Sequence, residues 1–260
     1  MVNCVTDRSA TGPLFERYFV AVIAKRPVFT SAELAQLRTL NLPETDGKPM
    51  DSAWHRVAMT LLIEIAVHFL RRRKLGYVAG NMCLYYSLKQ ALTKDFLGPD
   101  FFYVKQADPR KLRDKWEVWK ENNLFPDVII ELISPSTKAK DLGKKKTIYE
   151  QTFQTREYFA YDPADNTLRG WRLSAITNRY ESIESDDQGR MYCEELNLWL
   201  GTWLGTVERQ KASWLRFFHD DGSLVLRPEE EALEVAANER AEKEAAQAEV
   251  ARLRKRLESQ

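Results

Sequence analysis

The chain has 260 residues, 44% of them hydrophobic and 30% charged, with a formal net charge of +1. This is the composition of a soluble globular protein, long enough for one well-buried domain with appendages or for two small ones. Bulk charge excludes a broadly basic nucleic-acid binder, so any such binding must rest on local patches. Three cysteines, Cys4, Cys83 and Cys193, none in a Cys-x-x-Cys pair, read as reduced thiols of a cytosolic protein. No charged segment followed by an apolar run opens the sequence, and the longest apolar stretches fall short of a membrane span. The expectation is a cytoplasmic protein with no membrane partner.

Residues 1–50 read as an N-terminal arm, with Ser31 as the cap of a short helix and Pro43 and Gly47 marking a loop. A long amphipathic helix is predicted from Ser52 to Arg73, since Val57, Leu61, Ile65, His68 and Phe69 recur at helical spacing. Gly76 breaks it. Tyr77 to Ser87 is strand-like with an interruption at Gly80-Asn81, and Asp100 to Val104 forms a strand after Gly98-Pro99. Asp127 to Ile133 is nearly all apolar and reads as a buried central strand. A helix from Asp141 to Phe153 follows, then a strand from Glu157 to Tyr161 closed by Asp162-Pro163. Leu168 to Leu173 and Arg179 to Ile183 are further strands, expected in an outer sheet layer. This order argues an α/β core. Residues 229–258 lack Gly and Pro and are dominated by Glu, Ala, Lys, Arg and Leu, so the segment 227–260 reads as a charged helical tail. Ala232, Ala236, Ala246, Val250, Leu253 and Leu257 fit a coiled-coil seam, interrupted by Glu239 and Lys243. The tail is either a weak oligomerisation helix, most simply of a homodimer, or a lone solvated helix.

The chemistry concentrates around Glu131. An ionised carboxylate in an apolar strand is costly unless it is paired or binds a metal. Strand alternation puts Asp127, Ile129, Glu131 and Ile133 on one face, but Asp127 lies roughly 13 Å from Glu131 and cannot share an ion with it. Asp127 is expected to be structural, bonding backbone donors where the strand begins. A partner for Glu131 must come from a neighbouring strand, and Asp100, which opens one, is the best candidate. On the helix after the strand, a step of about 100° per residue puts Lys145 roughly 40° from the buried centre at Tyr149. Lys146 falls near the edge and Lys144 points away. Lys145 either holds an attacking water and steadies charge developing on a phosphate, or simply snorkels or pairs with Asp141. Lys138, Lys140 and Lys144 are candidate phosphate contacts. The stretch from Arg110 to Lys120, with Trp116 and Trp119, is either a further contact or an amphipathic solvated segment. His55, His68 and His219 are scattered and read as structural, and no Cys/His cluster has zinc spacing.

The block Asp127 to Thr137, followed by Asp141, Lys145, Tyr149, Glu157-Tyr158-Phe159 and Asp162-Pro163, resembles the Uma-type family of restriction endonucleases within the PD-(D/E)XK nuclease superfamily. Gly98-Pro99-Asp100-Phe101-Phe102, Gly170-Trp171-Arg172-Leu173 and the charged tail are similar to it as well, and the likeness runs from Trp54 to Phe218. The resemblance implies a restriction-endonuclease-like core over residues 51–226, a mixed central sheet flanked by helices, with extra β-strands and the C-terminal helix. It also implies a site. Asp100 and Glu131 become metal carboxylates and the main-chain carbonyl of Leu132 a third ligand. The usual lysine two residues after the Glu falls on Ile133, and its role passes to Lys145. Glu64 is either an accessory acid or a plain exposed helix position, and Asp127 and Tyr149 are the other accessory candidates. Hard oxygen ligands of this kind suit Mg²⁺ or Mn²⁺, and the implied reaction is hydrolysis of phosphodiester bonds in DNA. A catalytically silent nucleic-acid-binding module and an oligomeric scaffold are the competing readings. The presence of Asp100, Glu131 and Lys145 together favours the enzyme.

Overall fold

In the computed structural model, residues 26–45, 52–74 and 76–258 are described. Helix α1 (Ser31–Thr39) is capped by Thr30 rather than Ser31: the Thr30 hydroxyl accepts from the Glu33 N–H, and the Glu33 carboxylate reaches back to the Thr30 backbone. Leu37 and Leu42 bury themselves beside Tyr85 and Ala91, so this part of the expected arm packs on the domain.

Ser52 caps α2 (Ala53–Leu70), the longest core helix. By length and mean hydropathy of 1.3 alone, α2 matches a membrane-crossing helix, as buried core helices also do, where the sequence reading expects no stretch of that length. Its buried side chains, among them Val57, Leu61, Leu62 and Ile65, pack into the protein core instead. The stretch read as one strand from Tyr77 to Ser87 is two: β1 (Tyr77–Ala79) and β2 (Leu84–Tyr85), which join different sheets. The break falls at Gly80, where the backbone passes so close to Asp100 that a Cβ would lie 1.9 Å from its carbonyl oxygen. A short helix α3 (Leu88–Thr93) leads to β3 (Phe101–Val104), and β4 (Trp116–Glu117) pairs with β2 in parallel.

Strand β5 (Val128–Leu132) is central and fully buried. Helix α4 spans residues 138–153 and connects β5 to β6 (Glu157–Asp162), which is parallel to β5 as such a crossover requires. Beyond β6 come β7 (Thr167–Leu173) and β8 (Tyr180–Ser182). The main sheet has six strands in the order β1-β3-β5-β6-β7-β8, antiparallel except at β5–β6. The expected outer layer is therefore an extension of the main sheet: β6 has an open edge, and β7 fills it with Glu157 opposite Arg172. An antiparallel layer of β9 (Met191–Cys193), β10 (Leu198–Val207) and β11 (Gln210–Phe218) packs with α2 over Val128, Ile130 and Leu132. Helix α4 covers the other face, with Tyr149 and Phe153 against Ile129 and Ile133. Helix α5 (Pro228–Glu258) forms the tail. The chain is thus a mixed α/β protein with a largely antiparallel central sheet and a long C-terminal helix.

Candidate active site

The register of β3 on β5 decides which carboxylates meet. Phe102 lies opposite Ile129 and Phe101 opposite Ile130. The next step along this ladder brings Asp100 opposite Glu131, and directly opposed residues point to the same face. Asp100 is fixed through both oxygens. Its Oδ2 accepts the Leu132 N–H at 2.7 Å, and its Oδ1 lies 2.7 Å from Nε2 of His55, in the first turn of α2. Its backbone is braced by the turn after β1, where the Asn81 N–H donates to the Pro99 carbonyl.

Helix α4 supplies the other side. Asp141, Lys145 and Tyr149 are spaced by four residues and so share a stripe. Lys145 Nζ lies 3.0 Å from Glu131 Oε1 and 2.8 Å from Asp141 Oδ1. The Tyr149 hydroxyl donates to the same Glu131 oxygen at 2.7 Å. Wider π-helical turns span Asp141–Lys145 and Tyr149–Phe153, a distortion frequent where helices carry functional groups. The Tyr158 hydroxyl donates to the Asp141 carbonyl and ties this segment to β6.

Glu131 and Asp141 are each 1% exposed and Lys145 8%. The side chains of Asp100 and His55 are 16% and 11% exposed, so solvent reaches the cluster from their side. Burial pushes the Glu131 carboxyl well above the usual carboxylate range. The Lys145 charge and the Tyr149 hydrogen bond oppose that rise, while Asp100 and Asp141 add to it. Burial by itself lowers the Lys145 ammonium, but Glu131 and Asp141 outweigh it and the net direction is upward. The two rises differ in origin: burial leads for Glu131, whereas for Lys145 the neighbouring acids overcome burial. Burial and Glu131 push the Tyr149 hydroxyl far up, so it stays a proton donor.

Other candidates from the sequence fall outside this cluster. Asp127 Oδ2 accepts the Lys105 N–H at 2.7 Å, a structural bond at the start of β5. Glu64 lies nine residues along α2 from His55, about half a turn around the helix axis and so on the opposite side. Lys138 pairs with Asp162 at 2.7 Å and Lys144 with Asp95 at 3.3 Å, while Lys140 is exposed. The Arg110 to Lys120 stretch is not simply solvated. Trp116 is fully buried, and Arg113 stacks on Tyr77 and Trp116 while pairing with Glu121 at 2.8 Å.

The roles of two participants escaped the sequence reading. His55 reads as structural in the sequence, and in the fold its imidazole holds Asp100. Asp141, expected as a partner for Lys145 and as part of the family-like block, is the third acid of the cluster and is buried with Glu131. Its spacing of four from Lys145 was the available signal; His55 carried none, because its partner is 45 residues away.

The sequence profile of the Uma2 family, described as "Putative restriction endonuclease", matches residues 46–206. The chain belongs to the Uma2 family. The matched span includes His55, Asp100, Glu131, Asp141, Lys145 and Tyr149, and it ends within β10, short of Phe218. No curated protein matches the chain. Among solved structures the chain is similar to one described as a "putative nuclease belonging to DUF820" from Anabaena variabilis ATCC 29413. The two share 13% identity with a TM-score of 0.43, over 65% of this chain and 91% of that one.

Proposed function

We propose that this Uma2 protein is a Mg²⁺- or Mn²⁺-dependent endonuclease that hydrolyses phosphodiester bonds in DNA. The observation that carries the reading is the register of Asp100 against Glu131, with Lys145 on a Glu131 oxygen. Membership of a restriction-endonuclease family supplies the nucleic-acid substrate class.

The donor chemistry fits a hard divalent cation. Three carboxylates face one ammonium, so the cluster carries excess negative charge that a divalent cation offsets. Among the described residues no group of three or more His, Cys, Asp or Glu side chains is assembled as a cage. Mg²⁺ is commonly held by one or two carboxylates, with water and substrate phosphate completing the shell. Asp100 and Glu131 would hold the ion, with the Leu132 carbonyl as a main-chain ligand. The ion would activate water and offset charge on the phosphate.

The chain's own residues divide the remaining work. Lys145 sits where its ammonium can orient an attacking water and steady the negative charge of the transition state. Tyr149 and Asp141 fix Lys145 and Glu131 relative to each other. His55 keeps Asp100 aimed into the cluster. Lys140 and Lys144, exposed on α4, are phosphate contacts on the approach.

Incubation of the full chain with supercoiled and single-stranded DNA, in Mg²⁺, Mn²⁺ or chelator, tests the reading. Nicking that requires the metal is expected. Retention of DNA without any cleavage would favour the silent binding module, and cleavage in chelator would overturn the metal requirement.

A further inference from the structure

Every residue of α5 from Ala232 to Leu257 is exposed. The start of the helix, by contrast, is tied to the domain. Glu230 takes Arg216 at 2.8 Å, and Glu231 takes His68 at 2.5 Å and Arg71 at 3.0 Å. The helix therefore leaves the body from an anchored first turn and then runs exposed for about seven turns, with no neighbour among the described residues.

Its charge is divided along its length. Residues 229–242 contain six Glu and a single Arg, whereas residues 243–258 contain five Lys or Arg and three Glu. One stripe is poor in charge. With about 100° per residue, Ala232, Ala236, Glu239, Lys243, Ala246, Val250, Leu253 and Leu257 all fall within roughly 60° of a common line. Glu239 and Lys243 lie at the middle of that stripe.

This pattern selects both the partner and its direction. A second copy laid parallel would place Glu239 against Glu239, Lys243 against Lys243, and each acidic half against the other. A second copy laid antiparallel about Ala241 places each Glu239 beside Lys243 of the other copy. It also sets Ala236 beside Ala246 and Ala232 beside Val250. The acidic half of each helix then faces the basic half of the other. Charges at and beside a coiled-coil seam choose orientation in this way, and like charges in register are destabilising. We propose that α5 pairs with α5 of a second copy of this chain as an antiparallel two-stranded coil, with two Glu239–Lys243 pairs at its centre. The pairing is independent of the nuclease reading.

Sedimentation or light scattering of the full chain at graded concentration, with far-UV circular dichroism as the folding control, tests this. The wild type is expected to dimerise. Lys243→Glu sets Glu against Glu twice and is expected to weaken the dimer by about tenfold or more. The double variant Glu239→Lys/Lys243→Glu restores complementarity and should dimerise like the wild type. Orientation is read by oxidising a mixture of Ala236→Cys and Ala246→Cys chains, with wild type as the control for the native cysteines. Antiparallel pairing links the two variants to each other and neither to itself. A monomeric wild type, an unweakened Lys243→Glu dimer, or self-linked Ala236→Cys chains would each overturn the proposal.

Discussion

His55 and Asp100 meet across 45 positions of sequence, with Nε2 of the imidazole 2.7 Å from Oδ1 of the carboxylate. The contact joins the first turn of α2 to the mouth of the cluster and leaves Oδ2 on the Leu132 N–H. Removing the imidazole frees Asp100 to rotate while its main-chain anchor stays. His55→Ala is expected to lower metal-dependent cleavage by about 10- to 100-fold, the usual cost of losing the group that orients a metal ligand. Titration of the variant with Mn²⁺ should show weakened binding to match. A folded His55→Ala protein that cleaves at the wild-type rate would contradict this role.

Gly80 sets the position of Asp100 from behind. A methyl group there would lie 1.9 Å from the Asp100 carbonyl oxygen and 2.8 Å from Ile63 Cδ1, so backbone must move. Gly80→Ala is expected to cost ~1–3 kcal/mol as an overpacking change and to reduce cleavage through displacement of Asp100. Gly143, in the helix that carries Lys145, provides the contrast, because a Cβ there meets nothing within 4 Å. Gly143→Ala should stabilise by roughly 0.5–1 kcal/mol through helix propensity. Thermal melts of the two variants side by side check both signs.

The base of the tail should respond to acid. Burial pushes the Glu230 carboxyl up, but hydrogen bonds from Arg216 and the Arg227 backbone and the Arg216 charge outweigh it and hold it below its ordinary value. A carboxyl whose folded value is depressed contributes stability above the unfolded value, and that contribution is lost as pH falls through the folded one. The anchored first turn of α5 is therefore expected to loosen as pH drops below about 4.5, the ordinary range for Glu. Glu230→Ala should bring this loosening to neutral pH, at a cost of roughly 3 kcal/mol, because Arg216 is left buried and unpaired. Limited proteolysis near residue 228 between pH 7 and pH 4 reads the effect. Equal cleavage of wild type and variant at pH 7 would refute the anchor.

Much of the candidate cluster's geometry was legible in periodicity. Glu131 announced itself as a charge in an apolar strand, and the helical step selected Lys145 rather than Lys144 or Lys146. In the structure Lys145 reaches Glu131, Lys144 reaches Asp95, and Lys146 lies over the Trp171 ring. Strand spacing excluded Asp127 from an ion shared with Glu131, and its carboxylate accepts a backbone N–H, that of Lys105, at the strand entry. Pairings set by distant geometry stayed hidden. The His55–Asp100 contact depends on how α2 crosses the sheet, which no local pattern encodes. Strands β7 and β8 carry alternating side chains that suit an outer layer or an extended sheet equally well, and the open edge of β6 decided between them. The break at Gly80 was visible, but its consequence, two strands in two different sheets, was not. The expected role of Cys4 lies outside the described residues. Cys83 and Cys193 are both buried thiols, and Cys193 Sγ lies 3.1 Å from Glu157 Oε2.

The most direct test is Glu131→Gln, compared with wild type for nicking of supercoiled DNA in Mn²⁺ and for thermal melting. Glutamine keeps the shape and still accepts from Tyr149, while removing one of three crowded acids whose charge burial already disfavours. The account expects cleavage to fall by about a hundredfold or more with no loss of melting temperature, since the lost charge serves chemistry and not folding. A folded Glu131→Gln protein that nicks DNA at the wild-type rate would contradict the assignment of this cluster as the active site.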